Sequence, residues 1–176
     1  RGSESNVLNR YYEAANYAKA DIIVRITADD PFKEPGLIDK AINTLQEGGY
    51  DFVCNNCPPS YPEGLDIEVF TKAALDKEEE LSTSNFEREH VTQYIYHHPE
   101  KFKMFNISNI GENLSYLRWT VDTKKDFQMV ARIYSFLYKN DSEIFYMNDI
   151  LLLLKGHPEI EMMNSDVTRS EMYKSI

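Results

Sequence analysis

Apolar residues recur at helical spacing from the start of the chain: Val7, Leu8, Tyr11, Tyr12, Ala15 and Ala18 share a face, with Ser5 or Asn6 placed to cap it. The spacing predicts a helix over 7–20. It feeds the run Asp21-Ile22-Ile23-Val24-Arg25-Ile26-Thr27, read as a buried strand that delivers Asp29 and Asp30 to the carboxyl edge of a sheet. An amphipathic helix over 37–45 stops at Gly48-Gly49, and a strand over 50–55 leads into a proline-rich loop that reaches Pro62. The alternation in Leu65-Asp66-Ile67-Glu68-Val69-Phe70 predicts a half-exposed strand. Helices follow over 71–80 and 86–97, the second closed by Pro99, then a strand over 102–107. Arg118-Trp119-Thr120-Val121-Asp122-Thr123 repeats the opening pattern, an apolar strand ending on an aspartate, before a helix over 125–138 and a short one over 148–155.

This order fits a three-layer α/β domain over 1–164, followed by a loose polar tail over 165–176. A parallel sheet of this type normally begins with a strand and its phosphate-binding loop, whereas this chain opens on a helix. Neither G-x-x-x-x-G-K-[ST] nor G-x-G-x-x-G occurs in it.

With 176 residues and 42% hydrophobic content, the chain suffices for one core and is short for two. No apolar run approaches the roughly 18 to 20 residues of a membrane span, and the first residues lack the apolar centre of a signal peptide, so the expectation is a cytoplasmic protein with no membrane partner. The net charge of -10, with no basic stripe, argues against a nucleic-acid partner. Small anionic substrates stay open, because a metal ion can invert local charge. Cys54 and Cys57 form a C-x-x-C pair, but no second pair or nearby histidine completes a zinc site, and a small buried residue suits the strand at Cys54.

Asp29 and Asp122 share a logic, since each ends an apolar strand. If those strands are neighbours, the carboxylates converge at the sheet edge, where two carboxylates plus phosphate oxygens and water suit magnesium. The competing account is that Asp122 caps the next helix and Asp30 caps the loop. Gly64 permits a close approach, and Asp66 and Glu68 share one side of a strand, either as ligands for sugar hydroxyls or, more simply, as a solvated face. Within Glu87-Arg88-Glu89-His90, Arg88 could fork onto an anion and His90 could titrate near neutrality; a surface salt-bridge network explains the same residues.

Five motifs occur in an order that resembles one family: 6–12, Val24-Arg25-Ile26-Thr27-Ala28-Asp29-Asp30-Pro31, 61–70, Glu87-Arg88-Glu89-His90-Val91-Thr92, and Leu117-Arg118-Trp119-Thr120-Val121-Asp122-Thr123. The chain resembles the cytidylyltransferases of the spore coat polysaccharide biosynthesis protein F type, relatives of the CMP-KDO and CMP-sialic acid synthetases. The resemblance implies a nucleotide-diphospho-sugar transferase (Rossmann-like) fold and transfer of CMP from CTP to a sugar or sugar acid, with release of pyrophosphate. It implies Mg2+ on Asp29 and Asp122, the nucleotide near Arg1, Gly2, Arg10 and Ala28, and the acceptor near Gly64, Asp66, Glu68, Arg88 and His90. It also implies a homodimer through the segment 61–96.

Departures from the family pattern carry expectations of their own. Ala28 stands where relatives usually have Gly, Asn6 and Asn9 stand where they usually have Asp, and Lys124-Lys125 replaces Pro-Glu. The family's first strand and nucleotide-binding loop precede the position of Arg1, which makes a truncated and, by itself, inactive fragment the expectation. A non-catalytic sugar-nucleotide-binding or protein-interaction module with the same fold is the alternative. A signalling receiver domain lacks the ordered aspartate, hydroxyl and lysine it would need downstream.

Overall fold

The computed structural model describes residues 2–140 and 143–168. Helices α1 (Val7–Ala18) and α2 (Pro35–Gly48) flank strand β1 (Ile22–Arg25), and β2 (Phe52–Cys54) and β3 (Glu68–Thr71) lead into α3 (Lys72–Leu81). Two short helices, α4 (Asn85–His90) and α5 (Gln93–His97), and a 3-10 turn (Pro99–Lys101) precede β4 (Met104–Asn106). Helices α6 (Lys124–Leu137), α7 (Met147–Gly156) and α8 (Pro158–Glu161) complete the described chain. No helix among the described residues is long and apolar enough to cross a membrane.

The sheet order is β1-β3-β2-β4, with β3 antiparallel to both neighbours and β2 parallel to β4. Period-two alternation divides its side chains between two cores. Val53 and Val69 face the core shared with α2, α6, α7 and Trp119; Phe52, Cys54 and Phe70 face the one built with α1, α3 and α5. Helices on both faces of a sheet make the three layers that the sequence pattern implies. Each large, fully buried side chain, such as Leu8, Phe52 or Trp119, contributes about 1.5–3 kcal/mol.

Local chemistry sets the helix ends. Asn6 caps α1 through Asn9 N, Thr71 caps α3, and Ser84 with Glu87 makes a capping box for α4. Gly49, in a left-handed conformation, stops α2 where the Gly48-Gly49 signal placed its end.

Three sequence expectations are corrected. The strand at 65–70 is not half-exposed: β3 is central, and Glu68, Val69 and Phe70 are all buried because helices cover both faces. The helix over 86–97 is broken at Val91, whose φ of 56° is costly for a β-branched residue. Burial of Val91 and the bond from Thr92 Oγ1 to Glu68 Oε1 (2.9 Å) hold that break, which turns Thr92 inward. Finally, 118–123 is not a strand. Among the described residues its backbone makes one isolated bridge, to Glu63, through Glu63 N to Leu117 O and Trp119 N to Glu63 O, and one further bond from Val121 N to Asp29 O; both neighbours are loops that cannot sustain a ladder.

Candidate active site

The loop after β1 is tied shut by its own side chains. Asp30 accepts from Thr27 Oγ1 and from Lys33 Nζ, each at 2.7 Å, and Lys33 also bonds the backbone oxygen of Asp66. Asp30 is thus the loop cap that its position suggested. That closure turns Asp29 outward, while its backbone oxygen accepts from Val121 N at 2.9 Å. One main-chain bond therefore joins the β1 loop to 118–122 and sets Asp29 and Asp122 on the walls of one cleft. The cleft, about 410 Å³, is also lined by Arg25, Thr27, Asp30, Glu63, Asp66, Arg118, Thr120 and Thr123.

Gly64 makes this wall possible. Its φ is 100°, and a Cβ there would sit 2.8 Å from Thr120 N and from the carbonyl carbon of Trp119. Only a residue without a side chain lets the loop lie against 119–120 and carry Glu63 to Arg118.

Arg118 is the buried centre of the wall. Its Nε and Nη2 donate to Asp126 at 3.0 and 3.1 Å, and Nη2 also donates to Asp122 Oδ2 at 2.5 Å. Nη1 lies 3.0 Å from Glu63 Oε2, close enough for an ion pair but outside hydrogen-bond geometry. Burial opposes a charged guanidinium, yet the bonds to Asp126 and the charge of Glu63 outweigh it and raise its pKa. Asp126 is also fully buried. Burial pushes its carboxyl up, but donors from Arg118, Asn164 and Thr123 prevail and hold it at about 2. Thr123, not Asp122, caps α6, forming a capping box with Asp126. The capping account of Asp122 is thereby corrected, and its side chain, half exposed, belongs to the cleft.

Asp29 and Asp122 are a chemically suitable pair for magnesium, a hard ion that takes one or two carboxylates beside substrate phosphates and water. Among the described residues no three His, Cys, Asp or Glu side chains gather into a fuller cage.

The other residues singled out in the sequence are distributed around the fold. Asp66 lines the cleft, with its Oδ2 accepting from Gly64 N at 3.3 Å. Glu68 is buried, accepting from Arg25 (2.5 Å), Thr92 (2.9 Å) and Tyr96 (2.8 Å). It lies within β3 whereas Asp66 precedes that strand, so the two do not form one solvated face. Ala28 is exposed on the β1 loop. Gly2 and Arg10 line a separate open groove of about 680 Å³ along α1, with Tyr11, Ala14 and Tyr17. Arg1 lies outside the described residues. Arg88 grips Glu79 of α3, which also accepts from Asn9, and His90 packs on Phe86 with ring centroids 4.6 Å apart. Neither lines the cleft. Cys54 and Cys57 are free thiols, and burial pushes the Cys54 thiol up to about 12, which suits packing and not redox chemistry. Of the expected loose tail, Asp166 pairs with Lys125 and Val167 bonds Asn164; 169–176 lie outside the described residues.

Arg25 and Arg118 were not singled out as site residues by the sequence. A signal existed for Arg118, which stands four and eight residues before Asp122 and Asp126, the spacing of a cation facing a capped helix start.

The profile of the cytidylyltransferase family matches residues 1–164. The chain belongs to that family. It is 36% identical, over its whole length and 70% of the relative's, to an uncharacterized protein of Methanocaldococcus jannaschii. Against the spore coat polysaccharide biosynthesis protein SpsF of Bacillus subtilis it is 31% identical over 76% of this chain, which spans 55% of that protein. The solved structure of a cytidylyltransferase from Leptospira borgpetersenii superposes with a TM-score of 0.85 at 31% identity, covering 97% of this chain and 69% of that one. The likeness supports the three-layer α/β reading of the fold, and membership in the cytidylyltransferases makes the chain a nucleotidyltransferase.

Proposed function

We propose that the cleft transfers CMP from CTP to a sugar or sugar acid and releases pyrophosphate, in the making of an activated sugar for polysaccharide synthesis. The observation that carries this reading is the meeting of Asp29 and Asp122 on one cleft in a cytidylyltransferase. Asp29 and Asp122 would hold Mg2+, which supplies neutralisation of phosphate charge when bound.

The chain's own residues do the positioning. Arg118 holds one oxygen of Asp122, and Asp126 holds Arg118, so the carboxylate is oriented before substrate arrives. Thr27, Asp30 and Lys33 fix the loop that presents Asp29. Asp66 stands on the same cleft as a polar contact for acceptor hydroxyls. Gly2 and Arg10, which the family resemblance puts near the nucleotide, line the α1 groove and not this cleft. A homodimer through 61–96 would use the exposed Phe86, since Tyr61, Tyr94 and Tyr96 are buried within the protomer.

Pyrophosphate release from CTP, assayed on the full gene product with magnesium and a panel of sugars and sugar acids, is the expected result. No release with any acceptor, together with no CTP binding by calorimetry, overturns the reading and favours a non-catalytic module.

A further inference from the structure

The turn that follows α8 reaches back to the cleft. Its backbone folds on itself through the bond from Val167 N to Asn164 O at 2.9 Å, and Asp166 pairs with Lys125 at the start of α6. Val167 and Thr168 thereby line the cleft beside Arg118 and Asp122. Asn164, only 3% exposed, anchors the turn. Its Nδ2 donates twice, to the backbone oxygen of Arg118 at 3.0 Å and to Asp126 Oδ1 at 2.8 Å. That same Oδ1 accepts from Arg118 Nε at 3.0 Å, so one amide holds both the main chain of Arg118 and the carboxylate that sets its guanidinium plane. Arg118 Nη2 in turn donates to Asp122 Oδ2 at 2.5 Å. Burying an amide is costly unless its hydrogens find acceptors, and here both go to Arg118 and its counter-ion.

We infer that Asn164 is a positioning residue for the carboxylate of Asp122, acting through Asp126 and Arg118, and that the turn it anchors is part of the active-site wall. The inference rests on the cytidylyl-transfer reading for what Asp122 does. Without the Asn164 amide, Arg118 keeps its ion pairs but loses a fixed carbonyl and a donor on its counter-ion. The guanidinium can then tilt and carry Asp122 Oδ2 with it. Loosening a group that stands behind a ligand costs roughly 10- to 100-fold in metal affinity or activity.

The test uses the full gene product. Asn164→Leu, close in size and without donors, and Asn164→Ser, which keeps one donor, are made beside Asp122→Asn and the double variant Asn164→Leu/Asp122→Asn. Pyrophosphate release is expected to fall about tenfold or more in Asn164→Leu and to recover in part in Asn164→Ser. In the Asp122→Asn background, Asn164→Leu should add less than about a twofold loss, because its route ends on Asp122. Mn2+ binding in the presence of CTP, followed by electron paramagnetic resonance, gives a readout that needs no turnover; affinity should fall about tenfold in Asn164→Leu. If that variant does not fold, Asn164→Ser takes its place in the same cycle. Wild-type turnover and Mn2+ affinity in Asn164→Leu overturn the inference, as do losses that simply multiply in the double variant, since the turn is then packing alone. A protein that releases no pyrophosphate yet binds Mn2+ in an Asn164-dependent way sinks the transfer reading and leaves the inference standing. A wild type that neither releases pyrophosphate nor binds Mn2+ overturns both.

Discussion

Asp126 and Glu78 are equally buried carboxylates with opposite fates. Asp126, under the cleft wall, accepts from Arg118, Asn164, Thr123 and the backbone of Asp122, and its pKa falls to about 2. Glu78, on α3 behind the opposite face of the sheet, has no hydrogen-bond partner for either oxygen among the described residues; the backbone of Ile95 lies near but outside bonding geometry. Burial and then the charge of Glu68 drive its pKa well up, against the weaker pull of Arg25. Depth is the same, so the supply of donors decides the charge. The satisfied acid sits where the cleft must be rigid, and the unsatisfied one sits where the sheet meets a supporting helix.

The strongest way to break this contrast is to empty the satisfied site. Asp126→Ala would leave Arg118 buried without its main partner and is expected to cost about 3–5 kcal/mol in urea unfolding. A loss under about 1 kcal/mol would mean that Glu63 and Asp122 suffice. Asp122→Asn keeps the wall and removes a charge from the cleft. Pyrophosphate release should fall about a hundredfold or more, while stability moves by less than about 1 kcal/mol, because this side chain is half exposed. Unchanged turnover would detach Asp122 from the chemistry.

Gly64→Ala probes the same wall through its backbone. A Cβ 2.8 Å from main-chain atoms of 119–120, at a φ of 100°, forces the loop off and weakens the approach of Glu63 to Arg118. The expected cost is about 1–3 kcal/mol in thermal or urea unfolding. An unaffected Gly64→Ala variant would show that the loop is not held there.

The smallest effect belongs to Glu78. Its folded pKa is raised above 4.5, so the stability tied to the neutral form is full below that value and is lost as pH rises through the folded pKa. The groups facing it are Glu68, Glu87 and Arg25. Glu78→Leu should therefore stabilise the protein by about 1 kcal/mol at pH 8 and by less at pH 5. Equal effects at both pH values would show that Glu78 does not change charge in this range.

Much of the architecture was readable from local pattern. Leu8 and Ala15 mark the buried face of α1, Gly49 ends α2, and Ile22–Arg25 forms a strand where β-branched residues concentrate. That Asp29 reaches the cleft was legible because it follows the end of a β-branched strand. Asp122 shares the cleft with Asp29 without ending a strand, since the segment leading to it is joined by two backbone bonds to Glu63 and one to Asp29. Arg88 and Glu68 carried the residue types of ligands, yet both carry structural contacts here, to Glu79 and to Arg25.

The sequence by itself determined most of the helices, the positions of the four strands and the three-layer plan, because period, capping and glycine conformations act over a few neighbouring residues. Only the tertiary structure decided which charges face the cleft and which lie behind it. Arg25 meets Glu68 across 43 positions of chain, and Val121 meets Asp29 across a longer gap. The charge state and orientation of a buried group depend on donors brought in from such distances, and no local pattern encodes their arrival.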